Sequence, residues 1–448
     1  MKQINLNVTK TYDCDVLVCG GGVSGFAAAV SSARSGAKTI LLESGGFLGG
    51  TATKGLVGPF MTCYDSRGEE RIIKGLYSEL EERLIELNGG ISPEKCRGGD
   101  SYSGYRIKGH IGVMPFDAEV LKIALEQMCL EAGVNLLYHT TLLDCEKSGN
   151  QITEVYAANY TDIVSIKAKM FIDTTGFSSL AHKAGAETMR GNDDGVLQTN
   201  SLFFVISGVD KEVLDDYMSK NEELRERFFM DIIEKGQKDG SFPCGTQKLR
   251  IFENPNGTWT VNMAQIDEQF NELDGEQLAQ SEISQRLQIR KIIEFLRKNI
   301  LGLENIKLLV SASDLGIRES RRIVGKTVFC LDDIQNCKKF DDRIAVCANS
   351  IDIHQKQNVN YIAHTGENYY IPLSCLISKN VDNLFAAGKN LSADKYAFAA
   401  VRVMPPCIAM GEAAGIAAAL AANEGTCAGD VSYKKVQEIL IQNGAFLG

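Results

Sequence analysis

"DVLVCGGGVSGFAAAVSSARSGAKTILLES" runs from Asp15 to Ser44, and the reading of this stretch decides the fold. Gly20, Gly22 and Gly25 fit the spacing G-x-G-x-x-G, a weak signal alone in a chain that carries 43 glycines. The flanks give it meaning. Val16 to Cys19 reads as a short buried strand, Phe26 to Arg34 as a helix with a small-residue face, and Thr39 to Leu42 as a second buried strand ending on Glu43. The stretch is therefore a βαβ unit with an acid where its second strand stops. In such a unit Gly20 permits the tight turn, Gly22 lets a pyrophosphate approach the backbone, and Gly25 lets helix and strand pack closely. Val23 and Ser24 begin the helix, whose free N–H groups face the anion. Glu43, followed by Ser44, is placed to accept hydrogen bonds from a ribose diol. The ligand these residues describe is an adenine dinucleotide, with FAD and NAD(P) both open.

Bulk properties narrow the class. A chain of 448 residues that is 44% hydrophobic and 23% charged has room for two domains with sizeable cores. Its net charge of -10 argues against a nucleic-acid partner, because phosphate-backbone affinity rests on clustered Lys and Arg. The opening residues lack the apolar core of a signal peptide, and the apolar stretch from Cys407 to Ala422 contains Glu412 and is short for a bilayer span. The expectation is a cytoplasmic protein with no membrane partner. Thirteen cysteines include no C-x-x-C pair and no iron–sulfur run, and none of the five histidines is paired at metal-ligand spacing, so no metal is expected.

After the βαβ unit comes "SGGFLGGTATKGLVGPF", Ser44 to Phe60, a loop whose Gly49, Gly50, Thr51 and Thr53 a dinucleotide could lie against. A charged helical stretch, Gly75 to Gly89, and a polar loop to His110 read as an insertion or cap. Asp117 to Gly133 is a helix with Asp117 as N-cap. Alternating residues around Gly149-Asn150 then predict a β-meander that returns to a buried strand, Met170 to Asp173, ending at Thr174-Thr175-Gly176. From about Arg190 to Ile377 longer charged helices, Leu214 to Gly236 and Leu278 to Lys298, alternate with strands such as "TWTVNMAQI". The chain finally returns to the first domain's grammar with "NLFAAGKN" and the small-residue helix "CIAMGEAAGIAAALAA". The fold class expected is α/β: a Rossmann-like domain built from 1-65, 111-190 and 378-448, a cap at 66-110, and an inserted α+β substrate domain at 191-377. There is no second G-x-G-x-x-G unit in the middle of the chain and no internal repeat.

Four segments together carry a family resemblance: the opening βαβ unit through Thr53, "KMFIDTTGFSSLAHKAGA", "DLGIRESRRIVGK", and the stretch from Tyr369 to Leu420. They resemble, in order and over nearly the whole chain, FAD-dependent oxidoreductases with a glutathione-reductase-like FAD fold, in the branch near the succinate dehydrogenase/fumarate reductase flavoproteins. The resemblance implies FAD, with Gly20, Gly22 and Gly25 at the pyrophosphate, Glu43 at the adenosine ribose and Gly50-Thr51 beside the phosphates. It further implies that Thr175-Gly176 ends the strand under the adenosine half and that Gly388 contacts the ribityl and phosphate region. A helix beginning near Pro406, with Cys407 and Ile408 in its first turn, would aim its positive end at the flavin N1–C2=O edge. The likeness departs where relatives carry an arginine after this glycine; here Lys389-Asn390 offers a point charge without a planar fork. No histidine or cysteine stands at a flavin linkage position, so the FAD is expected to be non-covalent.

Hydride chemistry at flavin N5 needs groups that hold the substrate, polarise it and move a proton. Arg318 and Arg322 in "GIRESRRIVG" share a face whether the stretch is helix or strand, and could clamp a carboxylate or polyol. The competing reading is a salt-bridge cluster with Glu319. Asp352 and His354 fall on one side of a strand, giving an acid-oriented imidazole. Arg402 precedes the flavin-facing helix, and Tyr361, His364, Tyr369 or Tyr370 could line the pocket. The expected function is an FAD-dependent oxidoreductase passing a hydride between a small carboxylate- or hydroxyl-bearing substrate and flavin N5, with an electron donor or acceptor still to be identified and a homo-oligomer left open. Its rivals are an FAD-dependent tRNA-modifying enzyme, which needs a basic groove, and a non-catalytic flavin sensor.

Overall fold

A computed structural model describes residues 7–96, 101–106, 112–191, 195–266, 270–355, 358–362 and 367–448. At its centre lies the sheet that the opening stretch predicts. Val16–Cys19 is flanked by Thr39–Leu42 on one side and Met170–Asp173 on the other, with Asn135–Leu137 and Leu384–Ala386 at the two edges of a five-stranded, wholly parallel array. The three inner strands are buried end to end, as continuous apolar runs covered on both faces should be.

Two helices cover one face. Val23–Arg34 packs along Met404–Glu424. Their closeness is written in small residues: a Cβ at Gly411 would lie 2.2 Å from Ser24 O, and one at Gly415 would lie 2.2 Å from Ala28 O. Met404–Glu424 is long and apolar enough to cross a membrane, yet 89% of its apolar window is buried, and it serves as the core helix. A second sheet holds the meander of Thr140–Ser148, Gln151–Asn159 and Asp162–Lys167, with Val8–Asp13 added in parallel at its edge.

A third, antiparallel sheet has the order Ile251–Glu253, Trp259–Gln265, Ser201–Ser207, Lys307–Ser311. Helix Gly275–Asn299, started by the Asp274 carboxylate on the N–H groups of Glu276 and Gln277, packs on it around a separate core that includes Phe204, Trp259, Ile292 and Leu296. Side chains from Ile344 to Ile377 join the first core, against the Met404–Glu424 helix, rather than this one. The single helix expected from Leu214 to Gly236 is corrected to three short ones, Lys211–Ser219, Glu222–Glu226 and Met230–Lys238. Phe228 and Phe229 take positive φ at 53° and 57°, and Phe229 is buried in the second core, so packing of that ring has overridden helical continuity.

Candidate active site

The residues singled out for the cofactor all fall at the carboxyl ends of the parallel strands, where open α/β sheets bind ligands. Gly20 turns with φ +104°, and a Cβ there would lie 2.7 Å from Thr174 O. Gly25 is tighter still: its Cβ would sit 1.8 Å from Gly20 O. Gly22 is different, for a Cβ there would meet nothing within 4 Å, and it precedes a helix whose first turn has no side-chain cap. No side chain caps the first turn of that helix, at Val23, Ser24 and Gly25. An isolated bridge between Gly22 and Gly49 docks the following loop, Gly49-Gly50-Thr51, beside this turn, and Thr53 holds the loop by donating to Leu48 O at 2.6 Å.

Glu43 is buried at the end of its strand. Its Oε2 accepts from Gly21 N at 2.8 Å, and its Oε1 accepts from Gly45 N at 2.7 Å, Lys54 Nζ at 2.5 Å and Ser44 Oγ at 3.0 Å. Burial alone would raise this carboxyl, but the charge and hydrogen bond of Lys54 overcome it and hold the group below its ordinary range. Lys54 is a residue the sequence reading passed over; it lies on the loop without any periodic or motif signal.

On the neighbouring strand ends, Thr175 donates both N–H and Oγ1–H to the Asp173 carboxylate, and Asn390 Nδ2 donates to the same oxygen at 2.8 Å. This ties Thr175-Gly176 to Gly388-Lys389-Asn390. Lys389 Nζ donates to Ile317 O at 2.7 Å, and burial lowers its ammonium to about 8. Gly388, at φ +68°, leaves room for Ser24, whose Oγ would be 2.2 Å from a Cβ, and Cys407 Sγ lies beside the same point. Pro406, Cys407 and Ile408 are buried in the first turns of the long helix. In its first turn Pro405 and Pro406 carry no N–H, and Cys407 N–H is taken by Val403 O.

A second group of side chains meets this end of the sheet through Arg402, which caps the helix Lys395–Val401. Arg402 Nη2 donates to Asp352 O at 3.0 Å and lies 3.4 Å from Asp352 Oδ2, and Asp352 Oδ2 is 2.9 Å from His354 Nε2. Arg318 Nη1 donates to Thr199 O at 2.7 Å and its Nη2 to Ser201 Oγ at 2.9 Å. Burial, then the Arg402 charge, pulls Arg318 below its ordinary value. Burial and the Arg318 charge bring His354 down to about 3 despite Asp352, so the imidazole is neutral. Burial would raise the Asp352 carboxyl, but the His354 hydrogen bond and the charges of Arg402 and Arg318 hold it well below the carboxylate range. Two members of this group, Gln198 and Arg250, were not singled out in the sequence, since neither belongs to a motif.

The expected clamp of Arg318 with Arg322 is corrected. Arg322 lies on a short strand, Arg321–Ile323, paired with Thr188–Arg190, and is 1% exposed. It is bound to Glu319 at 2.5 Å, donates to Ala393 O and Gly191 O, and lies over the Phe398 ring. With every edge of its guanidinium engaged inside the protein, it is a framework residue. Tyr369 is buried and donates to Asn349 O at 2.9 Å. His364 and the side chain of Tyr361 lie outside the described residues. Among the described residues no three His, Cys, Asp or Glu side chains gather as a metal group.

A parallel sheet with a glycine turn at its carboxyl end, a free space beside Gly22 and a second, mixed layer define a dinucleotide-dependent α/β enzyme. The sequence pattern of the FAD-dependent oxidoreductases matches residues 15–440, and the chain belongs to that family, with FAD as its cofactor. A cinnamate reductase of Clostridium sporogenes is 27% identical over 226 residues, which is 46% of this chain; the match spans only 33% of that protein's length. Among solved structures, p-nitrophenol 4-monooxygenase of Pseudomonas putida is 10% identical over 96% of this chain and 84% of its own, with a TM-score of 0.49. A geranylgeranyl bacteriochlorophyll reductase-like protein of Thermoplasma acidophilum is 13% identical over the same shares, with a TM-score of 0.43.

Proposed function

We propose that this oxidoreductase passes a hydride between flavin N5 and a small substrate bearing a carboxylate or hydroxyl, and that the substrate sits at the Arg318–Arg402–Asp352–His354 group. The observation that carries the reading is Arg402. It stands a few residues before the Cys407 turn that touches Gly388 and Ser24, and its guanidinium holds Asp352. One residue thus joins the cofactor end of the sheet to the cluster of charged side chains. The substrate would then lie between the antiparallel-sheet unit and the FAD-binding unit, whose core also takes in Ile344 to Ile377.

The Gly20–Gly25 turn and the uncapped helix start would hold the pyrophosphate, Glu43 with Lys54 the adenosine ribose end, and Gly388 with Cys407 the region toward the ring. When bound, FAD supplies the two-electron carrier. Arg318 and Arg402, fixed by backbone carbonyls and Asp352, orient the substrate. Asp352 accepts from His354 Nε2 and so sets the tautomer, and the neutral imidazole would present Nδ1 as an acceptor that holds a substrate N–H or O–H in place. The cinnamate reductase relative, named for a carboxylate-bearing substrate, supports this chemistry.

The test is the visible spectrum of the purified protein during anaerobic addition of hydroxy acids, enoates, amines and sugars. Oxidised-flavin bands that bleach with one class are expected, and His354→Ala should retain the bands while slowing the bleaching about 100-fold. A flavin that no member of the panel reduces, and that once reduced passes electrons to none of them, would overturn the proposal.

A further inference from the structure

Two buried donors in the cluster have no acceptor. Gln198 is 4% exposed, and its Oε1 is fixed by Arg402 Nη2 and by the His354 backbone N–H, each at 3.3 Å. That anchoring turns Nε2 the other way, where among the described residues nothing accepts from it. Arg402 Nε is likewise buried and unpartnered. Buried N–H groups are nearly always paired, so two orphans on side chains bonded to each other mark the place of an acceptor that the described residues do not supply.

Arg250 adds charge to that place. It precedes the strand Ile251–Glu253, has no ion pair among the described residues, and acts electrostatically on Asp352, Arg318 and His354. Arg402 pairs with Asp352, Arg250 and Arg318 act electrostatically on the same carboxylate, and Glu319 is committed to Arg322. Such an excess of positive charge in a partly buried cluster favours an anion.

We infer that Gln198 Nε2, Arg402 Nε and Arg250 form a carboxylate seat, and that the substrate is an organic acid whose carboxylate occupies it; this rests on the hydride-transfer reading above. A hydroxyl could accept from both donors but, being neutral, would leave the cationic excess standing. A carboxylate offers two coplanar oxygens to an amide N–H and a guanidinium edge, the geometry in which charge-assisted hydrogen bonds are strong. Arg250 and Gln198 are then residues that determine specificity for acids over their neutral analogues.

The holoenzyme is titrated with acetate, crotonate and benzoate, and with acetamide, crotonamide and benzamide, while the visible bands of its flavin are followed. At least one acid should perturb the bands saturably where its amide does not. Arg250→Met should weaken that acid about tenfold or more, and Gln198→Leu several-fold, both at the wild-type ratio of flavin to protein. Arg250→Lys should restore part of the affinity, which a mere loss of packing would not predict. Acids and amides that act alike, or an Arg250→Met variant with unchanged affinity, would overturn the seat. So would loss of flavin from Gln198→Leu, which would assign that amide to the cofactor. If the protein holds no flavin the hydride reading fails by itself, and calorimetric titration of the same acids still decides the seat: binding abolished by Arg250→Met supports it, and absence of binding overturns it.

Discussion

A single methyl group separates two kinds of glycine in the opening turn. At Gly25 it would strike Gly20 O at 1.8 Å, so that position is required by the protein itself. At Gly22 it would meet nothing, and the backbone there, φ -66° and ψ 179°, suits a β-branched residue. Gly22→Val should therefore fold with a melting temperature close to that of the wild-type protein prepared without cofactor, yet retain less than about a tenth of the flavin. Flavin content equal to wild type would contradict the placing of the pyrophosphate. These glycines were legible because the strand and helix around them fixed their roles. Arg250 and Gln198 were not, because their meaning lies in which donors remain unpaired after folding, a property of three segments brought together. Arg322 was legible only in part: its pairing with Glu319 was the competing reading of the sequence, whereas its bonds to Ala393 O and Gly191 O could not be read from spacing.

At the scale of elements, the long helix near the end of the chain does more than cover the sheet. Glu412 in its middle is 2% exposed and accepts from Leu76 N at 3.1 Å, so it caps the helix Leu76–Glu86 from another part of the chain. Burial raises its carboxyl from 4.5 to about 7. An acid raised in the folded state binds more protons there than when unfolded, so this group lowers stability as pH climbs from 4.5 through 7. Glu412→Gln keeps an acceptor for Leu76 N without the charge. Its melting temperature should exceed that of wild type at pH 8 by an amount corresponding to roughly 3 kcal/mol or less, and the gap should narrow as pH falls and close below about 4.5. A gap independent of pH would mean that Glu412 stays ionised, or stays neutral, throughout. The helix was readable from its composition, and Glu412 within it served only as an argument against a membrane span. Its cap role depends on Gly75-Leu76 arriving beside it, some 336 residues away in sequence. The break between the helices Glu222–Glu226 and Met230–Lys238 escaped periodicity because the left-handed Phe228 and Phe229 that make it are set by packing against the core behind.

Over the whole molecule, the beginning and end of the sequence make one core. The strand Leu384–Ala386 closes one edge of the parallel sheet, and Met404–Glu424 covers the helix that follows the glycine turn. That return was legible from the grammar of small residues shared by the two helices. The adherence of the segment from Ile344 to Ile377 to the same core was not, because its short strands, Arg343–Cys347 and Tyr369–Pro372, pair with each other and carry no periodic sign of which layer they cover. One consequence follows for truncation. A fragment ending at residue 377 keeps the G-x-G-x-x-G turn, the meander and the antiparallel sheet, but it uncovers Ala27 and Ala28, which are fully buried in the complete chain and lie against Gly411 and Gly415. Apolar surface of that extent drives association or loss of fixed packing. The fragment should therefore aggregate or melt without a cooperative transition, and it should hold no flavin. Supplying residues 378–448 as a second chain during expression should recover a soluble complex with a cooperative melt. A fragment that melts alone as sharply and at the same temperature as the full chain would show that the two ends do not share one core.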